Sequence, residues 1–458
     1  MSELSSLPAY RQLQLLKAGD VSPATLAEHY QARITAAPEL GAFVTLTPRV
    51  AEGLITQLPG SRGLPLWGLP HADKDLAVRP GVPTLFGSLA VAQALRLYPG
   101  AMEAAPDPVV AESDRLGLVS LGKTNTPEFG LYGYTESDVT APARHPQDLS
   151  LNAGGSSGGA ATAVAAGLLP AAIGSDGGGS VRIPAATVGL VGLKPGQDVM
   201  IADRGRSTPT GVVSGPLTRD TRDAALFFAA FSGQEATPWE DWLEKEPAPV
   251  RVGIAEDSPW QPDFELNLDG VVLEAMEVAR TLLAPYCASQ SSVSLKTPGY
   301  GALFQRAWFR AAASVPEMLN SELFQPTSRW LVTEGRDLSA AAIDENKRGV
   351  RDFRNSMAER LRRFDVILTP ALGLGPQPVG SYPSEPHANF AKQVAYSPFT
   401  SWVNLMGWPA ITVPVTRISW GPLGHELPFS VQLVGKPGSE WQLLSLARLI
   451  QGDHVIRL

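Results

Sequence analysis

Cysteine is almost missing from the chain. Cys287 is the only one in 458 residues, so no intrachain disulfide can form, which fits a reducing, cytoplasmic setting. Its neighbours, Leu282 to Tyr286, are apolar, and it reads as buried filler rather than a thiol nucleophile. Charge is also sparse. Asp, Glu, Lys and Arg make up 18% of residues against 44% hydrophobic ones, a balance that excludes wholesale disorder. The formal net charge of −8 argues against nucleic acid as a partner, because that needs clustered Lys and Arg. A local basic run, from Lys347 to Arg363, is interspersed with Asp344, Glu345, Asp352 and Glu359 and reads as a solvated helix face. No basic leader precedes an apolar core at the N-terminus, so no signal peptide is read there. The longest uncharged stretch, Leu149 to Ser175, carries Asn152, a serine-glycine cluster and Pro170, so it reads as a soluble core segment and no membrane partner is expected. No fixed-period repeat is present.

Gly (44) and Pro (40) are plentiful and scattered, which predicts many short elements joined by tight turns. Helices are expected over Ser22–Ala36, with Ser22 as N-cap, over Val109–Leu116, around Leu226–Phe231 up to Gly233, over Leu268–Leu283 and over Glu440–Ile450. Strands are expected at Leu118–Leu121, Val250–Ala255, Ala410–Val415 and Phe429–Val434. Residues 234–250 read as a polar connection and 374–390 as a Gly/Pro-rich loop. Alternation of strand and helix predicts an α/β fold with a mixed central sheet flanked by helices on both faces. With no shift of composition at 234–250, a single domain over residues 5–455 is expected, with a core at about 60–233, a peripheral substrate-loop region at about 234–400 and C-terminal strands and helix at 401–455.

The informative block runs from Leu151 to Gly196. Glycines surround serines at Gly154-Gly155-Ser156-Ser157-Gly158-Gly159 and again at Gly177-Gly178-Gly179-Ser180. Between them, Ala160–Leu168 reads as a helix of small residues and Ala171–Ser175 as a strand, with Val181-Arg182-Ile183-Pro184 opening a further helix. Glycines let several backbone N–H groups converge on a substrate, and a serine at such a turn faces the centre of a concave anion site. A serine nucleophile needs a base. None of the six histidines (His29, His71, His145, His387, His425, His454) stands in a context that marks it as one. Lys74 is the other candidate, and it can act only if burial lowers its pKa from the ordinary value of about 10.4. From the residues alone it reads as a surface lysine.

Two formal matches point elsewhere. Gly155 to Gly159 satisfies the pattern of a hydrolase nucleophile elbow, but Arg144 to Asp148 reads as a loop where a strand is required. Gly117 to Thr124 satisfies the phosphate-loop pattern, but its interior is apolar and strand-like, and no partner aspartate is evident.

The two serine-glycine clusters, the run Asp176 to Ala185, and Gly192-Leu193-Lys194-Pro195 together resemble the amidase signature family. Ser156 and Ser180 lie 24 positions apart, the interval between that family's two catalytic serines. Gly122 to Asn125, Ser214 to Arg219, Asn404 to Ala410 and Val431 to Gly435 resemble further shared stretches. The resemblance reverses the reading of Lys74, because the segment Gly68-Leu69-Pro70-His71-Ala72-Asp73-Lys74-Asp75 matches the one that carries the family's lysine. It implies a hydrolase of non-peptide amides in which Ser180 is the nucleophile, Lys74 the ultimate base, and Ser156, held by a cis peptide bond, the relay between them. It implies an oxyanion hole from the N–H groups of Gly177, Gly178, Gly179 and Ser180, with Ser157, Asp176 and Arg182 as structural support. No metal or organic cofactor is needed, the substrate is a small amide, and monomer and homodimer are both compatible.

Two departures stand out. Thr or Ile is usual where this chain has Gly177, and the residues before the lysine are usually apolar, whereas His71 and Asp73 are polar. Strand alternation would put those two on the face opposite Lys74. Within the family, Asp75-Leu76, Gly81 to Thr84 and Gly87-Ser88 are similar to hydrolases of cyclic amides such as the 6-aminohexanoate cyclic dimer. The alternatives are an inert amidase-fold binding protein and the glutaminase component of a tRNA-dependent amidotransferase, which works with partner subunits. Substrate walls are expected in loops 297–335 and 374–400, from Trp308, Phe309, Trp330, Phe390 and Trp402. A lysine base implies an alkaline pH optimum.

Overall fold

The computed structural model describes residues 4–234, 239–421 and 423–451. His454 therefore lies outside the described residues. Among the described residues thirteen strands run in chain order: β1 Phe43–Leu46, β2 Pro70–Lys74, β3 Val119–Thr124, β4 Arg144–His145, β5 Asp148–Asn152, β6 Ala171–Asp176, β7 Val191–Lys194, β8 Val213–Thr218, β9 Val250–Ile254, β10 Cys287–Ser292, β11 Val366–Pro370, β12 Ala410–Trp420 and β13 His425–Gly435. Eight of them form one mixed sheet in the order β10-β9-β11-β13-β12-β7-β8-β6. Its pairs are parallel at the β10-β9-β11 end and antiparallel from β11 through to β6. A three-stranded sheet, β1-β3-β2, stands beside it, and β2 abuts β6 without pairing to it. That junction brings Lys74, at the end of β2, beside Ser175 in β6.

One layer of helices, Thr221–Ser232, Gly270–Leu283 and Glu440–Gln451, packs on the sheet, and the short helices Gly158–Ala165 and Arg182–Val188 fill the other side. Every residue of Gly158–Ala165 is buried, which only glycine, alanine, threonine and valine side chains allow at so close an approach of helix and sheet. Ser22 accepts from the Thr25 N–H at 3.0 Å and Pro23 takes the first helical position, so the first expected helix starts where its cap directs.

Several expectations change. The strand at Leu118–Leu121 continues through Gly122 to Thr124, because Lys123 is buried in the β-ladder instead of ending it. The strands at 410 and 429 are longer, forming a hairpin whose outer half alternates exposed and half-buried residues, where the apolar run used to place them stops. Within 234–250, Trp239–Glu244 is a short helix that plants Leu243 in the main core. Residues 297–335 are mostly two helices, Tyr300–Ala312 and Pro326–Arg336, and 374–400 ends in the helix Pro386–Tyr396. Cys287 is half-buried at the start of β10, not filler inside the core. The basic run lies on the helix Ala340–Leu361 and just beyond it, with exposed pairs such as Lys347–Asp344 and Arg362–Glu359, as a solvated face requires.

Candidate active site

β2 is buried along its whole length, so Lys74, its last residue, is carried into the interior and is 4% exposed. Its Nζ lies 2.7 Å from Ser156 Oγ, 2.9 Å from Ser157 Oγ and 3.1 Å from Ser175 Oγ. Burial lowers the amine to about 7, against the pull of Asp176. A neutral amine has two N–H donors and one lone pair. Three hydroxyls around it therefore require at least one of them to donate to the nitrogen. A neutral Lys74 amine so placed can take a proton from one of these hydroxyls.

Ser156 and Ser157 arrive on a tight turn. The approach is not the loop read from the sequence: Arg144–His145 and Asp148–Asn152 pair as a short antiparallel hairpin, because the intervening Pro146-Gln147 makes the turn. That hairpin is separate from the main sheet, unlike the strand of a nucleophile elbow. The Gly155–Ser156 peptide bond is cis. Thr126 Oγ1 donates to the Ser156 carbonyl at 3.0 Å and Thr135 Oγ1 to the Gly154 carbonyl at 2.8 Å. Ser157 N–H donates to the Ser180 carbonyl at 3.1 Å and ties the two serine clusters together.

The second cluster turns between β6 and the helix Arg182–Val188. Gly179 has φ +130°, a conformation open to glycine alone among the residues that could stand there, and a Cβ would meet Thr400 Oγ1 at 2.3 Å. Asp176 organises the turn. Its carboxylate accepts the N–H groups of Gly179 at 2.8 Å and Val181 at 3.2 Å, the Arg182 guanidinium through Nε and Nη2 at 2.9 Å each, and Asn404 Nδ2 at 2.9 Å. Burial by itself would raise this carboxyl, but Arg182, Lys194 and Asn404 outweigh it and hold it well below the usual carboxylate range. Arg182, fully buried, reaches on to the Thr400 carbonyl, Gln432 and Asn404 at 2.9, 2.6 and 2.6 Å.

One expected oxyanion donor is corrected by this geometry. The Gly179 N–H points at Asp176 and is not free for a ligand. Among the described residues, the N–H groups of Gly177, Gly178 and Ser180 donate to no protein acceptor. The departure at Gly177 has a local cause, since a Cβ there would fall 2.9 Å from Val212 Cγ2.

Lys74, Ser156, Gly177 and Ser180 line one cavity of about 480 Å3, and Ser180 and Gly178 also line a smaller recess of about 60 Å3. No hydrogen bond joins the Ser156 and Ser180 hydroxyls among the described residues. Of the aromatic residues expected as walls, Trp308 lines both recesses and Phe390 the smaller. Phe309 and Trp330 line neither recess: they meet edge to face, Trp330 also packs edge-on against Phe390, and Trp402 is fully buried. A bulge between His71 and Asp73 breaks the strand alternation, and both residues line the larger cavity. Asp73 is occupied by Arg79 Nε at 2.6 Å and Ser120 Oγ at 2.8 Å, with His71 Nε2 at 3.5 Å from it. His71 is the one histidine on that cavity among the described residues. Ser175 was missed by sequence reasoning: a hydroxyl at a strand end carries no signal until β2 is seen against β6. Lys123 is also enclosed, bonded to Thr84 Oγ1 at 2.9 Å and to the Ala77 carbonyl, which removes it from any phosphate loop.

Comparison with known proteins agrees on one family. The family model described as Amidase matches residues 25–444. The protein AmiB2 of Mycobacterium tuberculosis, which carries an amidase designation, is 32% identical over 415 residues, spanning 88% of this chain and 85% of that protein. The GatA-type component of the glutamyl-tRNA(Gln) amidotransferase of Thermus thermophilus is 31% identical over 467 residues, spanning 94% and 93%. The solved structure of a 6-aminohexanoate cyclic dimer hydrolase complexed with substrate superposes with a TM-score of 0.84 over 98% of this chain and 97% of that one, at 24% identity, a likeness of fold.

Proposed function

The chain belongs to the amidase family and is a hydrolase of carbon–nitrogen bonds other than peptide bonds, and on that premise we propose that it works through Ser180, Ser156 and Lys74, by way of an acyl-enzyme. The observation that carries this reading is the Lys74 amine, buried, lowered to about 7 and 2.7 Å from the Ser156 hydroxyl, in the cavity that Ser180 also lines.

Ser180 Oγ attacks the amide carbonyl carbon as its proton passes to Ser156 and the Ser156 proton to Lys74. The carbonyl oxygen takes the negative charge and is met by the N–H groups of Gly177, Gly178 and Ser180. Loss of one such donor costs about 3–4 kcal/mol in comparable acyl transfers. Lys74 returns its proton through Ser156 to the leaving nitrogen, the C–N bond breaks, and the amine departs. Water then attacks the ester carbon and gives a proton through Ser156 to Lys74; the bond from that carbon to Ser180 Oγ breaks, the proton returns by the same path to Oγ, and the carboxylic acid is released. The Ser156–Ser180 link closes by rotation of the Ser180 hydroxyl when substrate arrives, since apo hydrogen bonds of this kind tighten in the complex. Ser157 and Ser175 hold the amine in place.

A fluorophosphonate probe is expected to label Ser180 in the native chain. Ser180→Ala should abolish both labelling and amide hydrolysis, and a native chain left unlabelled would refute the reading. The amidotransferase relative at 31% identity supports a second reading, a glutaminase that needs partner subunits. Release of ammonia from glutamine only when such partners are added would select it. A cyclic-amide substrate remains within the first reading, supported by the fold likeness and by the 75–88 segment. The inert-binder reading is disfavoured by an amine that burial has lowered beside an open cavity.

A further inference from the structure

Ser180 stands between two recesses of unequal size and character. The larger, about 480 Å3, also holds Lys74, Ser156 and Gly177 and has a mixed lining that includes Asp107, Asp203 and Arg206. The smaller, about 60 Å3, holds Gly178 and is walled by Ile183, Phe304, Phe390 and Val394. Trp308 and Leu131 line both, and the Trp308 indole Nε1 donates to the Leu131 carbonyl at 3.3 Å, so the two residues form a tied partition.

Apart from Ser180 and the Gly178 N–H, the polar side chains at the smaller recess are engaged within the protein. Gln393 Oε1 accepts from the Gly133 N–H at 2.8 Å and its Nε2 donates to Asn389 at 2.6 Å. Ser401 Oγ accepts from Trp260 Nε1 at 3.0 Å and pairs with the Tyr300 hydroxyl at 2.9 Å, while Ser397 donates to the Gln393 carbonyl at 3.1 Å. What this recess offers a ligand is hydrocarbon and aromatic surface.

The proposed proton path then orients the substrate. The leaving nitrogen must receive its proton from Ser156, which lines the larger cavity and not the smaller. The amine therefore leaves into the larger cavity. The acyl chain, bonded to the same tetrahedral carbon, points away from it and enters the small recess. One water needs about 10–15 Å3 by this measure, so 60 Å3 takes about four or five non-hydrogen atoms. We propose that the enzyme selects amides of short, apolar acyl groups, about two to four carbons long, joined to a large amine. This inference rests on the Ser180 acyl-enzyme reading and deepens it by naming the substrate class.

The test is a matched series of acetyl, butyryl and octanoyl 2-naphthylamides, read by naphthylamine fluorescence, together with N-methylacetamide, read by methylamine release. kcat/KM is expected to fall at least about tenfold from butyryl to octanoyl, and N-methylacetamide to be a poorer substrate than the acetyl naphthylamide. Phe390→Ala, and separately the milder Val394→Ala, should raise the octanoyl-to-butyryl ratio while Ser180 stays labelled by the fluorophosphonate. Octanoyl turned over as fast as butyryl, or a ratio unmoved by either labelled variant, overturns the inference. So does a labelled native chain that hydrolyses none of the series. In those cases labelling shows that the Ser180 reading itself stands, whereas absence of labelling on the native chain removes both.

Discussion

An amine enclosed by hydroxyls titrates unlike one in water, and the proposed role of Lys74 rests on that difference. Its proton is lost near pH 7 instead of at the ordinary 10.5. The rate should therefore climb with pH, with kcat/KM following an apparent pKa of about 7 to an alkaline plateau. His71→Gln, at the histidine on the same cavity, is expected to leave this limb in place, while Lys74→Met lowers activity at least about 10³-fold. Stability responds to the same proton. Below about pH 7 the amine is protonated in folded and unfolded chains alike, and the folded chain bears the full cost of a buried ammonium. Between about 7 and 10.5 the unfolded chain holds a proton that the folded one has released. The penalty is therefore full below about pH 7 and is relieved as pH rises from about 7 towards 10.5, because linkage makes stability rise with pH wherever the unfolded state binds more protons. Lys74→Met should accordingly raise the Tm, by more at pH 6 than at pH 9, as calorimetry at the two values will report.

At the scale of elements, the turn between β6 and the helix Arg182–Val188 is held by one carboxylate. Asp176 meets three kinds of donor: the turn's own N–H groups, the Arg182 fork, and Asn404 from the helix Ser401–Met406. Arg182 carries the link on to Gln432 in β13. Both charges are fully buried, and removing one partner of such a pair costs about 3–5 kcal/mol. Asp176→Asn is expected to lower stability by that order in urea unfolding. The Gly179 N–H would also lose a charged acceptor, so fluorophosphonate labelling of Ser180 should slow in whatever fraction folds. A supporting role for Asp176 and Arg182 was readable from the sequence, since the two flank Ser180. Asn404 and Gln432 were visible only as family-like stretches, because nothing local connects them to position 176.

At the scale of the molecule, the main sheet draws on the chain from Ala171 to Gly435, and β9 to β13 lie beyond residue 233. Lys74, Ser156 and Ser180 precede residue 183, yet the sheet that holds β6 beside them is completed by strands that come much later. A fragment of residues 1–233 would keep only β6, β7 and β8 of the eight and expose the apolar faces the others cover. It is expected to be aggregated or unfolded by circular dichroism and sedimentation, and a folded, monomeric fragment would contradict the role given to the sheet. Among the described residues, no helix is long and apolar enough to cross a membrane.

What the sequence determined by itself was everything set by near neighbours. Glycine at a positive φ, a serine cap before a proline, small residues along a buried helix and apolar runs in strands each act over a few residues, so the two serine clusters and several of the elements could be placed from the chain alone. What only the tertiary structure decided were the meetings across it. Lys74 reaches Ser156, Ser157 and Ser175 because β2 ends against β6, from which it is separated by about a hundred residues. The Gly179 N–H turns to Asp176 instead of the cavity, and a partition of Trp308 and Leu131 divides the space around Ser180. Burial, electrostatic coupling and cavity shape depend on what packs against a residue. They belong to the assembled fold and to no single stretch of it.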